Sequence, residues 1–113
     1  MNRYKLTKAG VNPNEGINRF NGNKELYEKF LMEFPEDPHF ADLKKAIEAE
    51  DVKEAFAQAH ALKGVCGNLS LEDLYQAIVP LVEELRAESL LQAEELFEPV
   101  AANYKRVIEA LKE

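Results

Sequence analysis

The chain has 113 residues, 46% of them hydrophobic, which suffices for one domain with a modest core and leaves no room for a second. Its 21 acidic and 14 basic residues give a net charge of −7, and the basic ones do not cluster strongly, which argues against a nucleic-acid or anionic-membrane partner. One cysteine excludes an internal disulfide, and no apolar run reaches the roughly 18 residues that a membrane span needs.

Residues 1–11 carry Lys5 and Lys8 among scattered apolar groups and close on Gly10, which predicts a flexible N-terminal arm ahead of a domain over 12–113. Asn12 before Pro13 marks a helix start, because asparagine caps and proline suits the first turn. Ile17 and Phe20 then share one face of a short helix ending near Gly22. From Asn23 to about Phe34, the residues Leu26, Phe30, Leu31 and Phe34 recur at helical spacing, with Tyr27 at the edge of the stripe and Pro35 as the stop. Asp37-Pro38 repeats the start signal, and Phe40, Leu43, Ala46 and Ile47 make the stripe of a helix to about Glu50.

Asp51, with Glu54 three residues on, opens a central helix that runs to about Leu69. Ser70 with Asp73 opens the next, in which Leu71, Leu74, Ile78, Leu81, Val82 and Leu85 hold the period to Ala87. Pro80 predicts a bend there and not a break, since the stripe stays in phase beyond it. Ser89 with Gln92 opens the last helix, whose apolar groups are Leu90, Leu91, Leu96, Phe97, Val100, Tyr104, Val107 and Leu111, with a second bend at Pro99. No segment alternates with a period of two, and the breaks are short. The chain therefore reads as all-α, an antiparallel up-and-down four-helix bundle with short additional N-terminal helices. Which of the two helices before residue 51 is the fourth bundle member stays open.

Each helical residue turns about 100°, so Ala57, Lys63, Gly64 and Gly67 lie within about 60° of His60, while Ala55, Leu62, Val65 and Leu69 point away. His60 thus faces water and Cys66 faces the core. Gln58 points roughly towards the core side, where a hydrogen bond across the interface would satisfy it. Two interior glycines cost about 1 kcal/mol each relative to alanine, and beside an exposed histidine they open an approach for a partner's bulk. A neutral imidazole nitrogen is a competent nucleophile near neutral pH. With Lys63 one turn along, the natural cargo is an anion such as a phosphoryl group. Phe56, on the same exposed face, reads equally as a docking contact or as a side chain partly buried against a neighbouring helix.

His60, Leu62, Lys63 and Gly64, followed by Asn68 and Leu69, resemble the signature of the histidine-containing phosphotransfer (HPt) domains of multistep two-component signalling. The stretch from Gly16 to Tyr27 is similar to that family's N-terminal part. Ser70 departs from it, standing where the family often has glycine, and is expected to cap the following helix instead. The resemblance implies that His60 accepts a phosphoryl group from a receiver-domain aspartate and passes it to another receiver. Lys63 would stabilise the transferred charge, and Phe56, Ala57, Gly64 and Gly67 would face the docked partner. Receiver domains of response regulators and a hybrid histidine kinase are the implied partners, with Mg2+ on the receiver. The chain carries no Gly-x-x-x-x-Gly-Lys-Ser/Thr loop, no kinase-type glycine loop and no acidic magnesium site, so neither ATP-dependent kinase activity nor a cofactor of its own is expected.

His39, between Pro38 and Phe40, has no glycine neighbours and reads as ordinary surface. The pairs Glu83-Glu84 and Glu94-Glu95 fall on solvated positions and serve solubility. A metal-binding bundle would want Glu-x-x-His spacing, yet position 57 is alanine and Glu36 is separated from His39 by Pro38 in a turn. The alternative from another class is an adaptor bundle that docks receiver or kinase domains without being phosphorylated. No charged-then-apolar leader precedes a small-residue cleavage site, so the expected place is the cytoplasm, and the acidic surface around one core points to a monomer.

Overall fold

Side-chain caps set most of the helix starts. In the computed structural model, which describes residues 1–112, Asn2 caps α1 (Arg3–Lys8), Asn12 caps α2 (Pro13–Arg19) and Asn23 caps α3 (Lys24–Glu33). Asp51 does the same for α5 (Val52–Asn68), its Oδ1 accepting from the Glu54 N–H at 3.1 Å. Each of these oxygens satisfies one of the amides that a helix N-terminus leaves unpaired. Between α3 and α5, a 3-10 turn at Phe34–Glu36 leads into α4 (His39–Glu48). There Asp37 Oδ1 accepts from the His39 N–H at 2.9 Å.

Helix ends follow one rule. Gly10, Asn21, Glu50, Ser70 and Glu88 all have positive φ, and the residue after each donates its N–H to the carbonyl five positions back. Such left-handed stops satisfy the last carbonyls. They give the chain its short reversals into α6 (Glu72–Arg86) and α7 (Ala93–Leu111).

The four bundle members are α4, α5, α6 and α7, each packed along the next in antiparallel order. This resolves which earlier helix joins the bundle. Leu43, Leu62, Leu74, Ile78, Leu81, Val100 and Val107 are among the fully buried side chains between them. Pro80 and Pro99 sit inside helices that run unbroken through them. Among the described residues no strand forms, and Val11 and Leu71 make one isolated antiparallel bridge.

Four expectations change. The first concerns residues 1–11, which are not a loose arm: α1 packs on α7, Leu6 is fully buried, and Ala9 and Val11 join it. The segment is also stitched to the turn between α5 and α6, since Asn12 N–H donates to Ser70 O at 2.9 Å and Asp73 N–H to Gly10 O at 3.1 Å. Apolar residues too sparse to form a stripe of their own find cover on a helix nearly a hundred positions away.

The second concerns α3, which is rotated from its expected stripe. Tyr27 is fully buried, whereas Leu26 and Phe30 are 38% and 43% exposed. The Tyr27 hydroxyl donates to the Leu69 carbonyl at 2.8 Å, and its ring lies so close to Gly16 that a Cβ there would come within 2.2 Å of it. Burial raises the phenol to about 12.

The third is Ser70. It does not cap α6, which has no side-chain cap; it is the left-handed residue that ends α5, with φ +55°. That conformation explains why a glycine suits the position. Its buried Oγ has no hydrogen-bond partner among the described residues.

The fourth is the start of the last helix, which lies at Ala93 and not at Ser89. Glu84 organises the turn, accepting from Ser89 Oγ at 2.9 Å and from the Gln92 N–H at 2.7 Å. It is therefore more than a solvated charge. Leu90 packs on the core while Leu91 is 95% exposed.

Candidate functional site

The middle of α5 separates two environments. Ala55, Ala59, Leu62 and Cys66 are buried against the bundle, whereas Ala57, His60 and Gly64 are exposed and Lys63 and Gly67 are half-buried. Burial pushes the Cys66 thiol up to about 12, so it stays a neutral core group. Val65, expected on the core face, is half-buried and turns to a neighbouring groove. Gln58 makes its hydrogen bond along its own helix, Nε2 donating to Glu54 Oε1 at 2.6 Å, and not across an interface. Its Oε1 is buried without a partner among the described residues.

The glycines do different things. No neighbouring group among the described residues lies within 4 Å of where a Gly64 Cβ would stand. Over Gly67, the Tyr75 ring of α6 already comes to 3.5 Å of that point, an ordinary contact. Gly64 is the open step beside the imidazole, and Gly67 is the floor on which Tyr75 rests.

Around His60 the charges and rings are ordered by α5 and α6 together. The Phe56 ring lies 5.6 Å from the His60 ring, tilted by 33°, and the Arg86 guanidinium sits over the Phe56 ring, 5.1 Å from its centre. Phe56 is thus partly buried beside Arg86 of α6, the second of the two readings left open for it, and its ring also flanks the imidazole. Lys63 Nζ stands 5.7 Å over the Tyr75 ring, a cation–π arrangement that draws the charge to the α6 side of the site.

His60, Lys63, Gly64 and Gly67 line one groove of about 740 Å3. Tyr75 and Gln76 from α6, and Glu15 and Arg19 from α2, line it as well. These four were not singled out from sequence. Tyr75 and Gln76 sit on the α6 face turned to α5, which periodicity alone does not separate from the solvent side. Arg19 lay inside the Gly16–Tyr27 stretch that resembles the family, but nothing local said that it reaches this groove. Glu15 and Glu72 bring their carboxyl groups together, and this contact, with some desolvation, raises Glu72 above the usual carboxylate range.

His39 lies elsewhere, at the start of α4. Its Nδ1 is 2.7 Å from Asp37 Oδ1, so the side chain is tied to its helix start and does not line the groove. Among the described residues, no group of three or more His, Cys, Asp or Glu side chains is arranged to hold a metal ion. No helix among them is long and apolar enough to cross a membrane.

Comparison with curated proteins and with solved structures gave no match. A family model of the Hpt domain does match, over residues 25–113, from the start of α3 through all four bundle helices and across the His60 face. The chain belongs to the Hpt domain family, and with that family comes a phosphotransfer role in two-component signalling.

Proposed function

We propose that His60 is the phospho-acceptor of a multistep phosphorelay, taking a phosphoryl group from a receiver-domain aspartate and passing it to another receiver. The observation that carries this reading is the open approach at Gly64 beside an exposed imidazole. In the forward step a neutral imidazole nitrogen attacks phosphorus, a nitrogen–phosphorus bond forms, the acyl-phosphate oxygen–phosphorus bond breaks, and the receiver's aspartate leaves as a carboxylate. The return step reverses these bonds on a second receiver. Lys63 supplies a nearby positive charge for the transferred group, and Mg2+ is expected on the receiver and not on this chain.

Phe56, Ala57, Gly64 and Gly67 form the docking face around the imidazole. Burial of His60 against a docked receiver would align donor and acceptor atoms, and this bundle contributes position and access with no nucleotide chemistry of its own. An adaptor would present a similar face without taking up phosphate.

Mixing the protein with a phosphorylated receiver and magnesium separates the two. Label should appear at one site per chain, labile to acid and stable to alkali, and ATP alone should give none. Label that persists in His60→Gln, or that maps to His39, overturns the assignment. Binding of receivers without any labelling puts the adaptor first.

A further inference from the structure

The groove that holds His60 has a third wall that the bundle does not make. Helix α2 supplies it, held in place by the Tyr27 ring against Gly16 and by the Asn12–Ser70 backbone bond. Among the described residues lining the groove, the permanent cations are Lys63, on α5, and Arg19, on this added wall. They are placed differently. Lys63 leans over Tyr75, within the site, whereas Arg19 also borders a second groove of about 640 Å3 whose walls include Phe20, Phe30 and Val65. Arg19 therefore stands at the rim where the polar and apolar grooves meet, and a body lowered onto Gly64 meets it from the side.

Its present bonds leave it available. Nε and Nη2 both go to the same oxygen, Oε1 of Glu15, at 3.2 and 3.1 Å, and both side chains are well exposed. An exposed pair one helical turn apart is weakly held, and a guanidinium has five N–H donors, so a second carboxylate can be gripped without losing the first. Glu15 is meanwhile crowded by Glu72, which disfavours any further anion on that side and leaves the outward donors of Arg19 as the place where one is welcome.

Resting on the phosphotransfer reading above, we propose that Arg19 is a docking contact for the receiver, pairing with a carboxylate side chain at the rim of the receiver's phosphorylation site. It acts on association and not on the phosphoryl group. Charge at an interface rim governs encounter and its salt dependence more than the chemistry that follows.

The test is phosphotransfer from a phosphorylated receiver at varied receiver concentration, with wild type, Arg19→Ala, Arg19→Lys, Glu15→Gln and Lys24→Ala. Arg19→Ala should raise the half-saturating receiver concentration by about fivefold or more and flatten its dependence on salt, with the saturating rate within about twofold of wild type. Arg19→Lys should recover part of the loss, and Lys24→Ala, which removes an exposed charge outside the groove, should change neither the half-saturation nor the saturating rate; a rise equal to that of Arg19→Ala would mean a general charge effect, and the proposal fails. Glu15→Gln should not raise the half-saturation; if it matches Arg19→Ala, the arginine acts only by holding α2, and the proposal fails. The proposal also fails if Arg19→Ala behaves as wild type, or lowers the saturating rate with half-saturation unchanged. A wild-type protein that no receiver labels overturns the phosphotransfer reading and this inference with it, while labelled wild type with an indifferent Arg19 overturns this inference alone.

Discussion

The two faces of α5 are built from residues of similar size and respond to opposite demands. On the bundle side, Ala55, Ala59, Leu62 and Cys66 are small or medium and fully buried, letting α4 and α6 come close. On the open side, Ala57 and Gly64 are small and lie in solvent beside His60. Small residues on the first face are filled in by neighbours from the same chain. On the second face the space over Gly64 is left unfilled by the described residues. Stability is concentrated on one face and the proposed function lies on the other, so substitutions should separate them.

The widest separation is between Leu62 and His60. Leu62→Ala should cost about 2–5 kcal/mol, as removal of a fully buried leucine does, and a denaturant titration would read it as a lowered midpoint. His60→Gln should change stability by less than about 0.5 kcal/mol, being a surface change, while abolishing phosphate acceptance. A large stability loss in His60→Gln would erase the contrast between the faces.

Alkaline pH probes buried groups, Cys66 on the buried face of α5 and Tyr27 on α3. Cys66 is raised from 9.0 to about 12 by burial, with a lesser contribution from Asp37, so the folded chain keeps a proton that the unfolded chain releases. The unfolded state then binds fewer protons, and stability should be fully present below about pH 9 and decline as pH rises towards 12. Tyr27, raised from 10.0 to about 12, acts in the same direction from pH 10 upward. Denaturant midpoints at a series of pH values should show a decline that is shallower in Cys66→Ala, and an equal slope in that variant would contradict the assignment.

Gly64 sharpens the open face. Gly64→Ala should stabilise the helix by up to about 1 kcal/mol, since no neighbouring group opposes the new methyl. Gly64→Leu should slow transfer from a receiver by obstructing the imidazole. Stability and rate moving in opposite directions is the expected signature, and unchanged kinetics in Gly64→Leu would remove access as the reason for the glycine.

The smallest effect is expected at the end of α5, where neither face decides. Ser70 holds φ +55° with its hydroxyl buried and unpartnered among the described residues. Ser70→Gly should relieve both, and, offset in part by the greater freedom of glycine in the unfolded chain, it should raise stability by less than about 1 kcal/mol, read as a slightly higher denaturant midpoint. A lowered midpoint would mean that the serine contributes something the geometry does not reveal.

What the sequence by itself determined is local in physical origin. Asn12, Asn23 and Asp51 start helices because each oxygen reaches an amide three residues on, and His60 faces solvent because helical geometry alone places it opposite Leu62. The His60, Lys63 and Gly64 cluster was legible for the same reason, being one helical turn of one element. The tertiary structure decided what depends on distant pairs. Tyr27 rather than Leu26 or Phe30 is buried because its hydroxyl finds the Leu69 carbonyl 42 positions away, a choice that spacing within α3 cannot express. Leu6 becomes core because α1 meets α7, Glu84 becomes a cap because the chain turns back over it, and Ser70 takes a left-handed conformation without being glycine because the whole reversal requires one. Arg19 enters the groove of His60 by the same logic: its position there follows from where α2 is docked, and docking is a sum of contacts from residues that no local window contains.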